Sequence, residues 1–246
     1  MKKLFILFAV FILAAGFVFA QEFDGDDEES EAREIELINI ELSLGFPVHW
    51  TNGVHDDSFY QIINEATGAN MMEDKSVTAN TAFGIGLNLN LTKTLGVTLE
   101  MDIFYGAKLA GFASPTSDYN SLFGLNLFLG PVFYLFNNNV LRVPLAVGAH
   151  MYFFSDDLWV PEISTTSAWM NRKDLQIGPA LHLGVQFHFD NGIYLFCRTQ
   201  VSIDMVRIHK IDWLNVTTDE YESNSCTDIM DINWAVKPVF GLGIKY

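Results

Sequence analysis

The sequence is poor in several things that common function classes need. Cysteine occurs twice, at Cys197 and Cys226. That excludes a disulfide framework, and the alternation described below sets the two at different heights, so no bridge between them is expected. Basic residues are scarce, with 14 Lys and Arg against 30 Asp and Glu and a formal net charge of −16. This balance argues against nucleic acid and anionic headgroups as partners. Beyond the first twenty residues no run of 18 apolar residues occurs, although half the chain is apolar and 21 residues are Phe. A spanning helix is thereby excluded. An exported chain this rich in Phe and Leu is then either a soluble sandwich or a membrane β-barrel.

Export is written at the N-terminus. Met1-Lys2-Lys3 is basic, Leu4 to Phe19 is apolar, and Val18-Phe19-Ala20 is a small-residue cleavage site, so residues 1–20 read as a signal peptide. No cysteine sits at the cut, which argues against a lipoprotein. Without Lys2 and Lys3 the charge of −16 becomes −18. Residues 21–36 follow as an acidic tail, expected to be disordered and periplasmic.

From Ile38 the period becomes two. Ile38, Ile40, Leu42, Leu44, Phe46, Val48 and Trp50 interleave with Asn39, Glu41, Ser43, Gly45, Pro47 and His49. This is far longer than the usual globular strand of about 5–6 residues. The pattern recurs over 81–91, 97–106, 123–135, 141–153, 175–189, 193–205 and 232–246, giving eight strands. Connections after the second, fourth and sixth are tight: Thr92-Lys93-Thr94, Asn137-Asn138-Asn139 and Asp190-Asn191-Gly192. The others are long. Short turns on one side and long loops on the other are the outer-membrane barrel plan.

The two stripes decide between barrel and sandwich. A tilted strand crossing about 30 Å of hydrocarbon needs about 9–11 residues, which the apolar stripe supplies. The polar stripe is Gly, Ala, Asn and Ser rather than Lys and Glu, which suits the crowded interior of an eight-stranded barrel. Trp50, Phe83, Tyr105, Phe123, Phe153 and Trp234 mark one end of the apolar stripe, and Phe133, Phe187, Phe189 and Tyr246 the other. That is the aromatic girdle of a bilayer-embedded barrel. Phe104, Phe128, Phe154 and Phe196 break the parity. The fold expected for 37–246 is all-β, an eight-stranded antiparallel up-and-down transmembrane β-barrel.

Signal peptide, eight alternating strands and a terminal aromatic strand together resemble the small outer-membrane β-barrel proteins of diderm bacteria, of OmpW, OmpX and OmpA-transmembrane-domain type. The resemblance is architectural and covers residues 37–246. It implies a place in the outer membrane, contact with its lipid, and no cofactor. It also implies that Phe240, Leu242, Ile244 and Tyr246 are the signal read by the barrel assembly machinery, with Tyr in place of the commoner Phe.

By parity the lumen is expected to hold Glu41, Glu100, Asp102 and Asp204 against Lys108, Arg142, Arg198, Lys237 and Lys245, a near-balance that reads as a salt-bridged plug. His150, His182 and His188 point inward as hydrogen-bonded filler, with no metal site expected. His55-Asp56-Asp57 and Ser155-Asp156-Asp157 lie in expected loops. There is no His-x-Ser deacylase-like pair, so no enzyme is expected. Pro47, Pro131, Pro144, Pro179 and Pro238 fall in strands and cannot donate to the ladder. Pro47 and Pro238 lie on the first and last strands, neighbours in a closed barrel, where either bulges absorb each proline or the missing donors open a lateral gap. The resemblance to OmpW-like barrels makes such a gap a route for small apolar solutes into the membrane. The long loops carry Phe59, Tyr60, Met71, Met72, Trp159, Trp169, Trp213 and Tyr221, either as a cap or as a contact surface for a host or neighbouring protein. The chain therefore reads as a small surface barrel, structural or assisting passage of apolar solutes. A loop-mediated adhesin is the alternative.

Overall fold

The computed structural model describes residues 37–51, 76–110, 118–159, 169–215 and 220–246. The signal peptide, the acidic tail and most of the first long loop, with His55-Asp56-Asp57, lie outside the described residues. Among the described residues nine strand segments follow one another: β1 (Ile38–Gly45), β2 (Val48–Thr51), β3 (Ser76–Asn90), β4 (Leu95–Ala110), β5 (Asp118–Asn137), β6 (Leu141–Trp159), β7 (Trp169–His188), β8 (Ile193–Asn215) and β9 (Glu220–Lys245). β1 and β2 are the two halves of one stave, interrupted at Phe46-Pro47. Both halves pair with β3 on one side and β9 on the other. All pairings are antiparallel and sequential, and β9 returns to β1, so eight staves close into an up-and-down barrel.

The seam between first and last staves runs from Asn39↔Lys245 to Gly45↔Val239 and resumes at Val48↔Val236. At its lower end the Tyr246 N–H donates to the Ile38 carbonyl at 2.8 Å, and the Ile38 N–H returns a bond to Tyr246 at 3.2 Å. At the break the Phe46 N–H donates to the Pro238 carbonyl at 3.0 Å. Pro238 keeps its acceptor role although it lacks a donor. Just above, Trp50 and Trp234 are paired in register and stack on the outer face, centroids 4.2 Å apart.

The short turns carry their own chemistry. Thr92 Oγ1 accepts from the N–H groups of Thr94 and Leu95 at 3.2 and 3.0 Å. Asn138 Oδ1 accepts from Val140 and Leu141. Gly192 has φ +79°, the left-handed conformation that glycine adopts without cost.

Burial is inverted relative to a soluble protein. Leu42 is 60% exposed and Phe83 68%, whereas their strand neighbours Glu41 and Ala82 are 0% and 1% exposed. A ring of exposed Leu, Ile, Phe and Val with charged residues inside is stable only where the outside is hydrocarbon. On β7 the outward apolar run from Phe187 to Leu175 spans about 40 Å along the strand. At the usual tilt of about 35–45° this covers the apolar thickness of a bilayer.

The strands run further than the alternation suggests. Ser155-Asp156-Asp157, Trp159, Trp169, Trp213 and Tyr221, expected in loops, belong instead to strands β6, β7, β8 and β9, and Cys226 lies on β9 as well. Apolar alternation fades there because those ends leave the hydrocarbon, while the backbone ladder continues. A bulge also intervenes: between Asp204/Val206 the register shifts, and three residues of β9 face Met205 alone. Cys226 pairs with His209, twelve residues further along β8 than Cys197, and Cys197 is a free thiol.

Candidate functional site: the lumen

Inward side chains fill the barrel in stacked layers. In the layer nearest the short turns, Glu41 accepts from the Tyr194 hydroxyl at 2.9 Å, from Gln186 at 3.3 Å and from Arg198. Arg198 also reaches Glu100 at 3.0 Å, and Glu100 meets His182 Nδ1 at 3.0 Å. One guanidinium from β8 thus joins carboxylates from β1 and β4. A planar fork with several donors suits this bridging role.

The middle layer is a chain across the barrel. The Lys237 ammonium pairs with Asp102, which accepts from Asn126 Nδ2 at 2.8 Å. That bond fixes the amide orientation, so Asn126 Oδ1 faces His150 Nδ1 at 3.1 Å, and His150 Nε2 sits 2.5 Å from Asp204 Oδ1. Above it, Arg207 donates from Nε and Nη2 to Asp174 Oδ2 at 2.9 and 2.8 Å, and His209 Nδ1 lies 3.1 Å from the same oxygen.

Aromatic rings complete the filling. Phe104 stacks on Tyr152 at 4.7 Å, Phe128 on His182 at 3.8 Å, and His188 on Tyr194 at 4.7 Å. Glycines on the adjacent strand make room for them. A Cβ added at Gly124 would overlap the Phe104 ring, one at Gly241 the Phe196 ring, and one at Gly243 the Tyr194 ring. Each pair is in register: Phe104↔Gly124, Phe196↔Gly241, Tyr194↔Gly243. The Gly-rich polar stripe is half of a ring-over-glycine packing scheme.

Among the described residues, two small cavities lie in the lumen. One of about 20 Å³ is bordered by Glu100, Thr98 and Arg198, and one of about 10 Å³ by Pro47, His49, Phe104 and Tyr152. These volumes suit about one water each, not a solute.

Of the sequence-derived lumen charges, Glu41, Glu100, Asp102, Asp204, Arg198 and Lys237 are buried inside. Arg142 and Lys245 are half-buried near the short turns, with Arg142 over the Tyr134 ring. Lys108 pairs with Thr78 through its backbone. His150, His182 and His188 are buried, and so is His49. Parity in the sequence does not find Asp174, Arg207 and His209. Asp174 precedes the apolar alternation of β7. Arg207 and His209 have odd numbers, and the bulge at Met205 turns odd positions inward. Phe104, Phe128, Phe154 and Phe196, which break parity in the sequence, are lumen residues. Pro47 is buried at the stave break, and Pro238 lies opposite Thr199 on β8.

No protein-family model matches the chain, and no curated protein matches it significantly in sequence. Solved structures do match in fold. OprG of Pseudomonas aeruginosa is similar with a TM-score of 0.51 at 14% identity, covering 87% of this chain and 99% of that one. The outer membrane protein AlkL, determined in lipid bilayers, gives 0.50 at 13% identity over 90% and 96%. A major outer membrane protein of Thermus thermophilus gives 0.48 at 12% identity over 84% and 99%. The chain has the fold of the small outer-membrane β-barrels.

Proposed function

We propose that the protein is a non-enzymatic, structural barrel of the outer membrane, sealed to water and ions, that carries extended β-hairpins above the outer leaflet. The observation that carries this reading is the cross-braced lumen. Five buried carboxylates (Glu41, Glu100, Asp102, Asp174 and Asp204) are tied to Arg198, Arg207 and Lys237 and to three histidines, and the two cavities beside them among the described residues are of water size. Barrels with an aqueous channel use about 16 strands or more. Osmotic swelling of proteoliposomes tests it. In small sugars the swelling rate should equal that of protein-free vesicles, and faster swelling would overturn the reading.

A second reading rests on Pro47. It interrupts the stave at the seam, with β1 ending at Gly45 and β2 starting at Val48, and it borders the 10 Å³ cavity. A small apolar solute entering from the hairpin side would leave sideways there, between β2 and β9. Flux of an apolar fluorophore into proteoliposomes should then exceed that into empty vesicles. The excess should fall in Pro238→Val, which restores the donor facing Phe46 across the seam, and further with Pro47→Val, which restores one facing β3 at the break. Equal flux in all preparations would exclude the lateral route.

Phe240, Leu242, Ile244 and Tyr246 all face outward and are exposed, which supports their reading as the assembly signal. Tyr246→Ala should lower the amount of barrel in the membrane while leaving the melting behaviour of the folded fraction little changed.

A further inference from the structure

The outer face of the barrel changes character within one rung. Phe153, Leu175 and Ile208 are paired in register across β6, β7 and β8 and end the continuous apolar run of the outer face. Two residues further along each strand the next outward rung is Ser155, Lys173, Lys210 and Ser225, again in register. A tilted strand places this second rung about 5 Å beyond the hydrocarbon edge, at headgroup depth. Both lysines converge on one carboxylate. Lys173 Nζ lies 3.0 Å from Asp212 Oδ2, and Lys210 Nζ lies 2.8 Å from Asp212 Oδ1. The hydrogen bond from Lys210, with a second from Lys173, holds the Asp212 carboxyl at about 2, below the usual carboxylate range. Asp212 is therefore ionised at any physiological pH. Lys173, Lys210 and Asp212 together carry one net positive charge, on a chain whose total is −16, with Asp157 on the Asp212 rung two strands away.

We propose that Lys173 and Lys210 form a docking site for the phosphate-bearing headgroup of a lipid in the leaflet on the hairpin side. The proposal rests on the membrane placement of the barrel. Chain-wide acidity argues against anionic headgroups, but this patch reverses the sign locally. It does so at the one depth where a phosphate sits with its acyl chains against Leu175 and Ile208. The lysine side chains are 43% and 47% exposed, so each ammonium has donors left for phosphate oxygens. A phosphoryl group bridging the two ammoniums would complete a charge balance that Asp212 alone leaves half met.

The test is lipid retention by the full barrel, read by native mass spectrometry. The probes are short-chain phosphatidic acid, short-chain phosphatidylcholine as the zwitterionic comparison, and inorganic phosphate as the free ion. Wild type should retain phosphatidic acid over phosphatidylcholine. Lys173→Gln with Lys210→Gln should weaken that retention about tenfold. Asp212→Asn, which removes the competing carboxylate, should strengthen it. Lys93→Gln, at an exposed short turn on the opposite side, should change nothing. Heat-modifiable gel mobility checks folding of each variant, and Asp212→Asn carries the test should the double variant not fold. Unchanged retention in the double variant or in Asp212→Asn would overturn the proposal. So would inorganic phosphate competing as well as the lipid, which would make the patch a site for an adventitious ion only.

Discussion

Arg198→Met is expected to lower the unfolding free energy of the barrel by about 3–5 kcal/mol, among the largest effects available to a single substitution. Arg198 is the cation that Glu41 and Glu100 share, and those carboxylates are 0% and 2% exposed. Methionine keeps the apolar stem of the side chain but leaves two carboxyl groups in a low-dielectric interior with Tyr194, Gln186 and His182 as their remaining partners. Those neutral donors stabilise a carboxylate less than a guanidinium does. The measurement is the urea midpoint of the barrel refolded in lipid or detergent, followed by tryptophan fluorescence. A loss under about 1 kcal/mol, the scale of an exposed ion pair, would mean that the lumen is wet enough to screen the charges.

Phe104→Ala should cost about 3–5 kcal/mol for a different reason, the cavity left by a buried ring. Phe104 is 1% exposed, stacks on Tyr152, and lies over Gly124 on the paired strand. The ring-over-glycine scheme makes a sharper forecast. Phe104→Gly combined with Gly124→Phe moves the ring one strand over at the same height and conserves volume. The exchanged pair should recover part of what the two changes lose separately, because volume-conserving swaps are tolerated best, and the remaining loss is set by the new Cβ meeting the Phe153 carbonyl oxygen at 2.5 Å. A double variant no more stable than the sum of the singles would show that the interior does not pack by these pairs.

The barrel itself is legible in the sequence. Alternation over seven outward residues from Ile38 to Trp50 needs hydrocarbon on one face, and three tight turns between long connections set the strand order. The lumen is legible only where register is regular. Parity reaches Glu41, Glu100, Asp102 and Arg198 because β1, β4 and lower β8 are unbroken ladders. It fails above Met205, where the bulge reverses which side faces in and brings Arg207 and His209 to Asp174. Bulges are set by local hydrogen bonding between two strands, and neither strand shows one on its own. The strand ends beyond Phe153, Leu175 and Ile208 read as loops because the signal that marks strands in the sequence is apolar. That signal reports the bilayer, and the ladder outlasts it. Phe104, Phe128, Phe154 and Phe196 look like noise against an apolar-outside rule. They are lumen filling, and the glycines opposite them are the clue.

The central claim is that eight staves enclose an interior closed by its own side chains. Current through the purified barrel in a planar bilayer tests it most directly. The account predicts a membrane resistance no lower than that of the lipid alone, with no unitary steps over hours of recording. Stable unitary conductance steps in proportion to inserted protein would contradict it, because no ion could pass Arg198, Lys237 and Arg207 while each is held by its carboxylate.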